Sequence, residues 1–417
     1  MVVLLIVSVW FTARAEFRVA TFNADITIPI GHACMGGGVA DAREIVDPLF
    51  AKGFVLLGAE EPLVVVSLDW CQCNNDSYDR WREVLAQAAH TTPQRVMLAT
   101  VHQHDAPICD LTAQRLLDDQ GQPGWNCDPE FHERAVQRTA TALKQALSTA
   151  RRVTHFGMGQ ARIEKLASNR RVVRPDGTIT WERGSASGNL YDAPEGEIDP
   201  WLKTLSFWDG ETPLLAWSCY VIHPMSYYGK GGVSADFPGL ARQRRQQDDP
   251  SVFQIYFTGC GGNIAAGKYN DGTPEARQGL FERLLAAMRA SAASTVYAPA
   301  GPVDWKTVPV VLTPRGDAGF TEPELRARMS LTHALYAGRP NGGVTGAARL
   351  VLAALHGATS HLFARLQYVV DGMMVARAGV DAKELKERAK RSGALLPVST
   401  MLRLAVEIYG CQASGAL

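Results

Sequence analysis

Four stretches of the chain are almost continuously apolar and rich in β-branched residues: 62–69 (PLVVVSLD), 95–101 (RVMLATV), 214–222 (LLAWSCYVI) and 252–258 (VFQIYFT). Runs of this kind suit strands covered on both faces. Between the first two, Trp81, Val84, Leu85 and Ala88 recur at i, i+3, i+4 and i+7, which predicts a helix over 75–90 with one apolar stripe. Asp128-Pro129 and Thr273-Pro274 each set a capping side chain before a proline at the first helical position. They predict one helix running to Ser148 and another carrying Leu280, Phe281, Leu284 and Leu285. Strand and helix alternate, so the expected class is α/β: a mixed, mostly parallel central sheet flanked by helices, with a helical or divergent C-terminal tail.

The polar stretches divide the chain further. Residues 167–200 are rich in Gly, Pro and Asp and predict a long surface excursion. All nine tryptophans lie at or before Trp305, and beyond about residue 330 the chain is rich in Ala, Leu and Arg, as in 381–391 (DAKELKERAKR). The expected organisation is a leader over 1–15, an α/β domain over 16–330, and a helical, divergent or truncated region over 331–417. The leader is an apolar run closed by Ala13-Arg14-Ala15, a small-x-small pattern. It is too short to cross a hydrocarbon layer of about 30 Å. It reads as a signal peptide of a secreted or periplasmic protein, with a buried first strand as the alternative. No later segment is long and apolar enough to span a membrane.

Composition narrows the function classes. Apolar residues make up 46% of the 417, enough for a large core, and 42 acidic side chains balance 42 basic ones. A polyanion-binding face normally shows as a basic surplus, so nucleic acid is not an expected partner. Eight cysteines permit disulfides in an oxidising compartment. Cys109 and Cys127 bracket a polar loop that a bridge would staple. Cys71 and Cys73 support a weaker reading as a thiol protein.

Candidate chemistry gathers at the ends of the apolar runs. Residues 100–107 read TVHQHDAP after a predicted strand, and α/β sheets place their sites at strand C-termini. In extended chain, His102 and His104 project to the same side, with Asp105 beside them. Imidazole suits zinc, although a pair of structural histidines is the alternative. His223 ends a second apolar run, and Pro224 turns the chain out of it. Asp236, in SADFPG, reads either as a group orienting an imidazole or as a helix cap. Residues 259–263 (GCGGN) offer positive-φ glycines for an anion or oxyanion nest, or else a tight turn. Cys260 reads as a buried thiol. Arg170 and Arg171 form an arginine pair suited to gripping a substrate carbonyl or carboxylate, or simply a solvated one.

In order and spacing these segments resemble the N-terminal catalytic domain of the neutral/alkaline, non-lysosomal ceramidases, a zinc amidase family. TVHQHDAP is similar to that family's T-H-T-H-S-G-P, NRR at 169–171 to its N-R-S, IHPMS at 222–226 to its H-P-x-S-M, and SAD at 234–236 to its S-D-N. FTGCGGNIA at 257–265 falls at its G-D-V-S-P-N loop, and DPLFAKGFVLL at its L-F-A-R-A-F segment. The similarity covers roughly 20–290.

The resemblance implies one zinc ion held by His102 and His223, with Glu407 (in LAVEIY) as a remnant of a further ligand. It makes His104 the side chain that supports hydrolysis and Arg170 a substrate contact. From their own positions Asp105, beside the histidines, joins the catalytic candidates, and Gly261, Gly262 and Asn263 are the candidate oxyanion or substrate-binding loop. No cofactor besides zinc is expected. The loop from Gly259 to Gly267 contains no serine, and the family's catalytic serine falls near Ala265. A water activated by the metal is therefore the expected nucleophile, since zinc brings the pKa of its water to about 7. The function implied is hydrolysis of an amide or related acyl bond in a small-molecule or lipid-like substrate. The alternative is a catalytically inactive, ceramidase-like binding protein.

Overall fold

The computed structural model describes residues 16–310 except 59, 120, 181–191 and 227, together with 321, 323 and 324. The chain divides into two compact units, Met1–Val308 and Pro309–Leu417. The leader, the tail helix over 381–391 and Glu407 fall outside the described residues.

Two five-stranded sheets form the first unit. Strands β1 (Phe17–Asp25), β2 (Phe50–Leu57), β3 (Leu63–Leu68), β4 (Val96–Thr100) and β5 (Arg151–Val153) make one sheet in the order β4-β3-β2-β1-β5. Strands β6 (His155–Arg162), β7 (Trp201–Asp209), β8 (Thr212–Tyr220), β9 (Phe253–Thr258) and β10 (Val296–Pro299) make the other, ordered β9-β8-β7-β6-β10. Helices α1 (Asn75–Ala89) and α2 (Pro129–Leu147) pack on the first sheet, and α3 (Asp236–Asp248) and α4 (Pro274–Ala293) on the second.

Three apolar layers separate these elements. Trp70, Trp81, Leu85, Val136 and Leu143 fill the layer between the first sheet and its helices. Tyr220, Phe237, Tyr256, Leu280 and Leu284 fill its counterpart on the second sheet. Between the sheets lie Phe17, Val19, Phe54, Leu56, Phe207, Leu215 and Ile255. Fully burying one such side chain stabilises the fold by about 1.5–3 kcal/mol.

The α/β class and helix-flanked mixed sheets stand as expected. The number of sheets and the balance of pairings differ. Among the described residues there are two five-stranded sheets and four two-stranded ones. Each five-stranded sheet contains one parallel pair, β3–β4 or β8–β9, its other pairings being antiparallel. The four apolar runs of the sequence are those parallel pairs. The antiparallel strands between and beside them carry no such signal, because polar residues interrupt the run, as in His155–Arg162 (HFGMGQAR).

The caps behave as their chemistry predicts. Asp128 accepts from the amides of Glu130 and Phe131, and Thr273 from that of Ala276, with proline in the first turn of each helix. Cys109 and Cys127 are free thiols in mutual contact rather than the expected bridge.

Candidate metal centre

The site forms where the parallel pair of one sheet ends beside that of the other. Beyond β3 and β4 the chain keeps its register for two more steps. The Val101 amide donates to the Leu68 carbonyl at 2.9 Å and the His102 amide to the Trp70 carbonyl at 3.0 Å. This sets His102 beside Cys71. His102 then takes φ +71°, a left-handed conformation unusual for a residue with a side chain. Beyond β8, the His223 amide donates to the Ile264 carbonyl at 2.8 Å, which fixes the second imidazole against the loop after β9.

Each imidazole is held through Nδ1. That of His102 lies 2.9 Å from the Cys71 carbonyl, and that of His223 lies 2.7 Å from the Gly261 carbonyl. A carbonyl oxygen only accepts, so Nδ1 carries the proton in both rings and a neutral ring presents a lone pair at Nε2. The two Nε2 atoms stand 2.9 Å apart. Two lone pairs at that distance repel unless a cation lies between them. Nitrogens sharing one zinc at about 2.0–2.1 Å sit about 2.9–3.4 Å apart, so the pair fits that ion.

His104 completes the triad, its ring 5.4 Å from that of His102 and 6.1 Å from that of His223. Its Nδ1 is buried with no hydrogen-bond partner among the described residues. Cys71 Sγ and one nitrogen each from His102 and His104 lie within 4.8 Å of one another, a grouping that could hold a metal. Tyr228 packs edge-on against His104, with ring centres 4.8 Å apart.

The electrostatics favour neutral imidazoles. Burial lowers the pKa of all three, to about 3 for His104 and about 4 for His223. The Arg170 guanidinium lowers them further, while the carbonyl bonds of His102 and His223 oppose the shift. Arg170 is anchored by its amide to the Asn263 carbonyl at 2.7 Å, and its Nη2 lies 3.2 Å from Met225 Sδ. Burial also raises the Cys71 thiol to about 12 and the Asp105 carboxyl to about 6.

Several expectations change. His102 and His104 do meet, but through the left-handed turn at His102 and not through strand alternation, because β4 ends at Thr100. Asp105 accepts from the Gly229 amide at 2.7 Å and, among the described residues, bonds to no imidazole. Asp236 does not orient a histidine either. It heads α3, accepts from the Ser226 amide and hydroxyl, and so ties down the loop after His223.

The glycine loop departs from expectation as well. None of Gly259, Gly261 and Gly262 takes a positive φ. Gly259 and Gly261 are needed for close approach instead. A Cβ on Gly259 would lie 2.6 Å from Val221 Cγ2, and one on Gly261 would lie 3.1 Å from the Ile222 nitrogen. The amides of Gly262 and Asn263 donate no hydrogen bond among the described residues. Cys260 is exposed, not buried.

Cys71 and Tyr228 were not assigned to the site from sequence. Cys71 was recoverable: it follows β3 by three residues, and a strand–helix–strand crossover sets that end beside the end of β4. No comparable signal marks Tyr228.

No protein-family model matches the chain, and neither does any curated protein. Among solved structures it is similar to a ceramidase complexed with C2, at TM-score 0.48 and 19% identity over 68% of this chain and 45% of that one. It is also similar to neutral ceramidase from Pseudomonas aeruginosa, at TM-score 0.47 and 19% identity over 68% of this chain and 46% of that one. The chain therefore spans less than half the length of either protein.

Proposed function

We propose that the chain is a zinc-dependent hydrolase of an amide or related acyl bond, of the ceramidase type its motifs resemble, working outside the cytoplasm. The observation that carries this reading is the pair of opposed Nε2 atoms of His102 and His223 at 2.9 Å, with both Nδ1 protons committed to carbonyls. Such outer bonds orient imidazoles that hold metal.

In this reading His102 and His223 hold the ion. The motif comparison adds Glu407, and proximity to His102 makes Cys71 a further candidate. Bound zinc supplies Lewis acidity and a nucleophile at neutral pH. His104, neutral and with an unpartnered Nδ1, would accept a proton from the attacking water and return it to the leaving group. Arg170 grips the substrate's carbonyl or a nearby anionic group. The undonated amides of Gly262 and Asn263 suit the oxygen that becomes negative. Asp105 positions the loop that carries Tyr228 through its bond to Gly229.

A second reading is favoured by Ala265. It is fully buried where the resemblance would put a serine, as in a protein that keeps the metal and has lost turnover. One experiment separates the two. Zinc-loaded protein is assayed on N-acyl lipids, short N-acyl amides and acyl esters, beside His102→Ala, His223→Ala and chelator-treated protein. Hydrolysis by the loaded wild type alone supports the enzyme. No hydrolysis of any substrate by fully loaded protein leaves the binding reading.

A further inference from the structure

The layer between the two sheets opens at one end. On β1, Phe17 and Val19 face the second sheet, and the next residues on that face are Thr21 and Asn23. On β2, Phe54 and Leu56 face the same way, preceded there by Lys52. Where the core side chains give way to these polar ones lies a cavity of about 470 Å³. Leu214 and Phe253, at the starts of β8 and β9, form part of its far wall, and Arg151 of β5 lies at its edge.

The charge in this cavity is one-sided. Lys52 is only 8% exposed, and its Nζ lies 4.4 Å from the centre of the Phe253 ring. The side chains of Lys52 and Arg151 make no hydrogen bond or ion pair among the described residues. No Asp or Glu is among the described residues lining the cavity. A buried ammonium without a counter-ion is costly unless something in the cavity neutralises it. Burial, and then Arg242, bring the Lys52 pKa down to about 7 against the opposing field of Asp69. An anion in the cavity would reverse that penalty. Thr21 and Asn23 add neutral donors, and the apolar wall adds a surface for a hydrocarbon body.

We propose that this cavity binds a small organic anion, its carboxylate or phosphate held by Lys52 and Arg151 and its apolar part laid against Leu214 and Phe253. The site is independent of the histidine cluster and does not rest on the hydrolase reading.

Calorimetric titration of the full chain with phenyl phosphate and with benzoate tests the idea, using benzyl alcohol as the neutral control. Wild type should bind at least one of the anions and not the alcohol. Lys52→Met and Arg151→Gln should each weaken that anion about tenfold or more, in line with loss of a charge-assisted bond. His102→Ala/His223→Ala should leave it unchanged, whatever becomes of the metal. Arg151→Gln alters an exposed strand residue, so it remains informative if Lys52→Met folds poorly. The proposal is overturned by no anion binding to wild type, by equal binding of benzyl alcohol, or by unchanged affinity in the variants. Loss confined to the double histidine variant also overturns it, since the anion would then sit at the histidines. Preference between phosphate and carboxylate identifies the head group.

Discussion

His102 and His223 meet Nε2 to Nε2 at 2.9 Å, although 121 residues separate them along the chain. Each is aimed by a backbone carbonyl on its far side, so the gap between them is set by strand ends and not by rotamer choice. Aim should therefore be separable from ligation. In Gly261→Ala the new Cβ would crowd the Ile222 backbone and displace the carbonyl that holds His223. Zinc affinity, read by competition with a chromogenic chelator, should fall about tenfold although both imidazoles remain.

Asp69 and Arg242 form a bidentate ion pair at 2.6 and 2.7 Å between side chains that are 0% and 1% exposed. Arg242→Met strands the carboxylate and should lower unfolding free energy by about 3–5 kcal/mol. Asp69→Leu/Arg242→Met should recover much of that loss, because the buried charge goes with its partner. Urea titration of the three proteins checks both statements.

His132 of α2 lies fully buried beside the rings of Trp70 and Trp81. Burial, opposed by Glu133 and aided by Arg80, lowers its pKa to about 4 against 6.5 when exposed. Its folded pKa lies below its unfolded one, so between those values the unfolded chain binds the extra proton. Stability should thus fall as pH drops from about 6.5 to about 4. His132→Phe should flatten that decline, measured by denaturant midpoints across the window.

Gly53 sits in β2 under the Phe22 ring, where a Cβ would lie 2.3 Å from Phe22 Cζ and 2.6 Å from the Val65 carbonyl. Two central strands would have to part to admit it. Gly53→Ala should cost about 1–3 kcal/mol, visible as a lower thermal midpoint.

The sequence revealed those parts of the fold that are buried on both faces. Leu63–Leu68 is buried at all six positions, so its run of apolar residues was unmistakable. Trp201–Asp209 alternates exposed and buried side chains in its first half, and α3 opens with Asp-Phe-Pro-Gly and carries few apolar residues; neither gave a clear period. The convergence of His102, His104 and His223 was legible because parallel strands deliver their C-terminal ends to one edge. The left-handed turn at His102 was not, since nothing about a histidine between Val101 and Gln103 announces a positive φ. Asp236 was legible as a residue at the start of a helix, but its bonds back to Ser226 were not.

Metal analysis of the purified chain bears most directly on the central claim. Wild type should carry about one zinc per chain after dialysis against trace metal, and His102→Ala/His223→Ala almost none. Equal metal content in the two proteins, whether negligible or full, would contradict the account.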